Sequence, residues 1–255
     1  MSKKKAGTAL VRWDEELALR AKESTAMVDS ITTGNFISVR AGQMAYHGSP
    51  VVGNKLNVVI LDAILENAFY EGKFDPDDPQ SPVCFAYHRG QKGEEPMAPH
   101  ELSEKPQYKT CKGCKRNDFG SDLQGRRGKA CKNIVRLGLI PADVLKDKDQ
   151  IAASEVAYFK VPVTSVKAWA AYVKTLDAVY HRHPMGVVTE LSVVPDVKNQ
   201  LAVIFTEKGI IKDSGTGAAI LQKAAEVKQA ITFPYVKFER TAAPKKGKKK
   251  HSKKY

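Results

Sequence analysis

This sequence of 255 residues predicts a mainly β fold with a few helices, and three observations carry the prediction. Apolar and polar residues alternate in about six or seven short runs, the period-2 mark of half-buried strands. Helical periodicity is confined to two or three segments, which do not alternate with the strands as a parallel α/β sheet requires. A long polar segment that holds three of the four cysteines separates the early strands from the late ones.

Residues 1–33 read as an N-terminal arm with a short helix. "NFISVRAGQMAYHG" alternates Ile37, Val39 and Ala41 against Phe36, Ser38 and Arg40, then turns at Ala41–Gly42 into Met44 and Tyr46. After "SPVVGNK", the β-branched run Leu56–Leu65 suits a buried strand, and "NAFYEGKF" and "VCFAYHR" follow as two further short strands. Beyond the cysteines, "EVAYFKVPV" reads as a strand. "SVKAWAAYVKTLDAVYHRH" reads as a helix capped by Ser165, with Val166, Trp169, Val173, Leu176 and Tyr180 on one side. "GVVTELSVV" and "QLAVIFTE" form a hairpin closed by "PDVKN". A last helix, roughly Thr216–Ile231, turns Ile220, Leu221, Ala224, Val227 and Ile231 inward. Short strands with irregular connections suggest a small barrel or sandwich, for which the oligonucleotide-binding (OB) barrel is the candidate. The expected organisation is one OB-like domain over 34–240, interrupted by an insertion at about 84–136, and a disordered lysine-rich tail over 241–255.

The net charge of +13 is unevenly placed. The tail from Thr241 holds seven lysines and no acid, Lys3–Lys5 add three, and Lys105–Arg136 carry a surplus of eight. These pieces total +18, so the remaining chain is about −5. Placed positive charge implies a polyanionic partner, nucleic acid before an anionic membrane. An apolar share of 42% with 27% charged residues is that of a soluble globular protein. No run approaches the length of a membrane span, and the start lacks a signal peptide's apolar stretch. A soluble protein in the cytoplasm of its cell is therefore expected, with no membrane partner.

Without an export signal, four cysteines point away from a disulfide framework. Cys111 and Cys114 form a C-x2-C knuckle with Gly113 easing its turn. Sixteen residues separate Cys114 from Cys131, and twenty-six separate Cys84 from Cys111. Four thiolates satisfy the tetrahedral preference of Zn2+ and close the site to water, which makes such a site structural. Cys84, Cys111, Cys114 and Cys131 are the candidate ligands, with His88 and His100 as alternatives for the fourth place. A redox role for the C-x2-C lacks a thioredoxin-like βαβ context. The loop Gly90–Lys109, broken by Pro96, Pro99 and Pro106, buries too little to order itself. Zinc supplies of order 10 kcal/mol in small finger peptides, enough to hold the neighbouring cations on a rigid turn.

Single strands are bound by basic grooves with rings that stack on bases. The first half interleaves Phe36, Tyr46, Phe69, Tyr70, Phe74, Phe85 and Tyr87 with Arg40, Lys55, Lys73 and Arg89. Tyr46 and Tyr70, beside turn residues, are the preferred stackers, with Arg40 and Lys55 near them in sequence. Lys115, Arg116, Arg126, Arg127, Lys129 and Lys132 are the expected phosphate contacts. Catalytic signatures (P-loop, HExxH, GxSxG) are missing, so no enzyme is expected. "DPDD" at Asp75–Asp78 reads as a solvated turn, and "HRH" at His181–His183 falls at a helix C-terminus, where cations favour the dipole. Two alternatives remain: a Mg2+-dependent nuclease or recombination enzyme using Asp75 and Asp77, with the zinc segment as a DNA clamp, and a duplex-binding zinc-ribbon regulator.

The stretches "FISVRAGQMAYHGSPVVGNKLNVVILDAILENAFYEGKF", "SPVCFAYHR", "CKGCKRNDFGSDLQGRRGKACKN" and "YFKVPVTSVKAWAAYVKTL" resemble the single-stranded-DNA-binding proteins of tailed phages and prophages. The match rests on Cys84 near Pro82, Cys111 and Cys114, Asn117–Phe119–Gly120–Ser121, and Gly128–Lys129–Ala130–Cys131, and it runs from about residue 34 to 206. The resemblance implies an OB-type fold that coats single strands in phage replication or recombination, beside other proteins of that machinery in the host cytoplasm. It also implies that the four cysteines belong together. Many replication coat proteins end in an acidic tail that recruits partners; this chain ends in "KKGKKKHSKKY", which is unsuited to that role.

Overall fold

A computed structural model describes residues 16–17, 20, 35–72 and 80–235. Most of the arm, the segment with Lys73, Phe74, Asp75 and Asp77, and the lysine tail lie outside the described residues. The fold is mainly β, a mixed sheet with few helices, compatible with a barrel-like architecture. Two compact units divide the chain: one drawn from Met1–Ala63 and Arg136–Ile231, the other from Ile64–Val135 and Thr232–Tyr255.

The strands are β1 (Phe36–Arg40), β2 (Gln43–Tyr46), β3 (Ser49–Pro50), β4 (Lys55–Phe69), β5 (Cys84–His88), β6 (Cys131–Pro141), β7 (Ala157–Val161), β8 (Val187–Asp196) and β9 (Gln200–Ile210). The helices are α1 (Lys148–Ala153), α2 (Val166–Thr175) and α3 (Ser214–Ala230). In the first unit the strand order is β3-β2-β1-β7-β6-β4-β8-β9. The β1–β7 pair is parallel, whereas β1–β2, β4–β8 and β8–β9 are antiparallel. The expected late hairpin is present, running from Val187↔Ile210 to Asp196↔Gln200. No helix among the described residues is long and apolar enough to cross a membrane.

Two strands differ from the sequence reading. β4 is one strand of 15 residues where the sequence suggested two. The polar Glu66 and Asn67 break the apolar pattern, yet both are buried, Glu66 hydrogen-bonded to the Tyr235 phenol and Asn67 to Asn133. β6 has no counterpart among the strands expected from the sequence. Its Lys132, Asn133 and Arg136 look like a continuation of the basic segment, but Val135, Arg136, Leu137, Leu139 and Ile140 are all buried. The Arg136 guanidinium donates to the Ile231 carbonyl at 2.9 Å, which gives a core charge a polar partner.

Gly138 of β6 is where the chain approaches α3. A Cβ at this position would fall inside the Val227 side chain and lie 3.6 Å from Ile231 and 3.7 Å from Tyr158. α3 begins at Asp213, whose carboxylate accepts the Thr216 N–H at 2.6 Å. Its buried face holds Ile220, Lys223, Ala224 and Val227, while Leu221, expected inward, is 61% exposed. Lys223 takes a core-facing position with its ammonium donating to the Ala152 carbonyl at 2.9 Å and paired with Glu226 at 3.1 Å.

Ser165 stands at the N-cap of α2 but does not cap it. Its hydroxyl instead accepts the Val203 N–H of β9 at 2.9 Å. Trp169 and Tyr172 pack on Phe205 with ring centroids 5.3 and 5.8 Å apart, and the Tyr172 hydroxyl meets Thr189 at 2.6 Å. The helix is thus fixed to the hairpin by aromatic burial and two buried hydrogen bonds.

Candidate metal centre and nucleic-acid interface

All four cysteines belong to the second unit, and all are free thiols. Cys84 opens β5 and pairs with Phe69 at the end of β4. Cys131 opens β6. Cys111 and Cys114 come from the long loop between these strands, which is tied down by backbone bonds along its course. His100 N–H donates to the Phe85 carbonyl at 2.7 Å, Lys105 N–H to Val83 at 2.8 Å and Cys111 N–H to Met97 at 2.7 Å. Ser103 is buried and exchanges hydrogen bonds with both backbone groups of Phe85 at 3.1 Å. The loop therefore docks part of its length against β5, an interaction that its proline-rich composition does not reveal. Gly113, at φ +81°, makes the C-x2-C turn, and the Asn117 amide closes it by donating to the Cys111 carbonyl at 3.1 Å.

The four sulfur-bearing residues line one small pocket, about 20 Å3, with Asn67, Phe69 and Arg116 among its other walls. His88 and His100 do not line it. His88 accepts the Gly90 N–H at 2.8 Å and its other nitrogen meets the Glu95 carbonyl at 3.0 Å; His100 accepts the Leu102 N–H and stacks on Phe85 at 4.9 Å. Burial first, and the neighbouring Cys111, Cys84 and Cys114 in smaller part, push the Cys131 thiol up to about 12, against the lowering effect of Lys129. Cys84 and Cys111 are raised in the same way, by burial first and by fellow thiols in smaller part. Hydrogen bonds from the Gln107 backbone to Cys84 and from the Asn67 side chain to Cys111 oppose the rise.

Among the described residues, no three His, Cys, Asp or Glu side chains form a ready-made metal-holding group. The donor chemistry nevertheless fits a soft divalent cation. Thiols gathered in a buried pocket resist ionisation, and a divalent cation reverses that preference and turns each into a thiolate ligand.

The cations of the loop differ in how they are held. Arg116 lies over the Phe69 ring at 5.1 Å and donates to Gln107 at 3.3 Å. Lys132 pairs with Asp122 at 3.6 Å, and Lys129 donates to Asn117 at 3.3 Å. The Gln124 N–H, then Lys132, hold the Asp122 carboxyl below its ordinary range. Lys115, Arg126 and Arg127 are exposed, and their side chains hold no ion pair among the described residues.

Of the other expected contacts, Tyr70 is half-buried in this same unit and hydrogen-bonds with Tyr235. Arg40, Tyr46 and Lys55 belong to the first unit. Arg40 is exposed, and Lys55 pairs with Glu190 at 3.6 Å. Tyr46 is half-buried against His47 at 4.1 Å; burial raises its phenol, and Glu155 and Asp143 raise it further, which marks acidic surroundings. Two rings that the sequence reading did not select stand in solvent instead, Phe119 at 83% exposure and Tyr108 at 55%. The available signal was local: "NDFGSD" places Phe119 among turn residues inside the basic segment.

Comparison of the chain with family models, with curated proteins and with solved structures finds no match.

Proposed function

We propose that the protein binds single-stranded DNA without sequence preference and without chemistry of its own, in phage replication or recombination. The observation that carries this reading is the convergence of Cys84, Cys111, Cys114 and Cys131 on one pocket at the base of a basic loop. Zinc bound by these four thiols would act as a structural tie between the starts of β5 and β6 and the C-x2-C turn. Asn67 then orients Cys111, and Asn117 locks the turn from which Lys115 and Arg116 project. Lys115, Arg126 and Arg127, exposed on the loop, neutralise phosphates, and the tail's seven lysines add a sequence-independent share. The OB-type barrel and the kinship with phage single-strand-binding proteins belong to the same proposal.

The test is the salt dependence of oligonucleotide binding. Each phosphate contact on a single strand contributes about 0.7 to the slope of log K against log salt. Arg126→Glu with Arg127→Glu should weaken binding and flatten that slope by about 1.4 or more. An unchanged slope removes the cysteine loop from the interface.

A further inference from the structure

We infer that Phe119 is a base-stacking platform, with Lys129 as the cation on its ring, and that its ligand is an unpaired nucleobase. This rests on the proposed single-strand binding and names the ring that performs it. Phe119 is 83% exposed, although an isolated ring gains by burial, and the turn that presents it is closed on both sides. Gly120, at φ +87°, donates its N–H back to the Gly128 carbonyl at 2.9 Å. The Ser121 hydroxyl meets the Asp118 carbonyl at 2.6 Å and accepts the Ala130 N–H at 3.0 Å. The backbone on either side of the ring is therefore fixed, and the ring is held out by its turn.

Lys129 Nζ lies 5.0 Å from the centroid of the Phe119 ring. A cation at a ring favours the electron-rich face of an aromatic partner and provides a counter-charge for a phosphate flanking the stacked nucleotide. Arg126 and Arg127 belong to the same turn, since the Arg127 carbonyl also accepts the Gly120 N–H at 3.2 Å. A planar π-face linked to regularly spaced negative charges satisfies all of these groups together. An apolar protein partner would use the ring and leave the cations unmatched. Because every base has a π-face, this contact adds affinity without reading sequence.

The test compares an oligothymidylate with an abasic strand of equal length, on the full chain, for wild type, Phe119→Ala and Phe119→Trp. Phe119→Ala should lower oligothymidylate affinity about 5- to 150-fold and leave abasic-strand affinity and the salt slope unchanged. Phe119→Trp should restore the preference for the strand with bases. Unchanged oligothymidylate binding in Phe119→Ala, with wild type still binding, overturns the inference alone and assigns the ring to a protein partner. Equal losses on both strands also overturn it, because the ring would then be supporting the loop rather than meeting bases. A wild-type protein that binds neither strand overturns the broader reading with it.

Discussion

Tyr235 illustrates how single residues of the second unit depend on pH. Burial is the main reason its phenol is raised above the ordinary tyrosine range, and the adjacent Glu66 carboxylate raises it further. A raised acid in the folded state holds its proton more tightly than in the unfolded chain. The stabilising effect is therefore complete below the unfolded value near 10 and is lost as pH rises toward the folded one. Tyr235→Phe should cost about 1–3 kcal/mol at neutral pH, through the lost bond to buried Glu66, and its alkaline decline should be shallower than wild type's. Urea unfolding at neutral and alkaline pH measures both effects. The cysteines, in contrast, were legible in the sequence because C-x2-C spacing and ligand counting are local arithmetic. Phe119 was not, because turn residues mark a bend without fixing which ring beside it stays in water. The same limit applies to Tyr46 and Tyr70, which adjoin turns and are half-buried.

At the scale of elements, close packing of β6 on α3 sets a sharp requirement at one position. Gly138→Ala would drive a methyl group into the buried Val227 side chain, so one of the two must shift. The variant should lose about 1–3 kcal/mol, read as a lower urea midpoint with an unchanged m-value. β8 and β9 are readable because their apolar runs are bounded by the turn residues of "PDVKN", even though Thr189 and Ser192 of β8 are buried and Thr189 meets Tyr172. β6 was hidden because Arg136 is a core residue satisfied by a carbonyl 95 positions away, a partner that no sequence window contains. The unity of β4 was hidden for the same reason, since Glu66 depends on Tyr235. Likewise, Ser165 occupies a capping position while its hydroxyl serves a strand, so residue type predicted the position and tertiary structure chose the bond.

For the whole molecule, charge placement is the strongest functional signal. The surplus of Lys105–Arg136 coincides with the loop that carries two of the pocket's four thiols and the exposed Phe119. The remaining chain is slightly acidic, so affinity for nucleic acid should depend on this loop and the tail rather than on a diffuse field. If the proposed zinc and single-strand binding hold, ordering of the loop and binding are one property: removal of the metal should loosen the C-x2-C turn, leave the lysines in place, and convert a selective binder into a merely cationic one. The most direct measurement is a fluorescence-anisotropy titration of matched single- and double-stranded oligonucleotides with zinc-loaded and zinc-stripped protein at several salt concentrations. The loaded protein should prefer the single strand even at high salt, and stripping should erase this preference while low-salt binding to both forms persists. Equal binding of both forms by the loaded protein, or a single-strand preference untouched by stripping, would contradict this expectation.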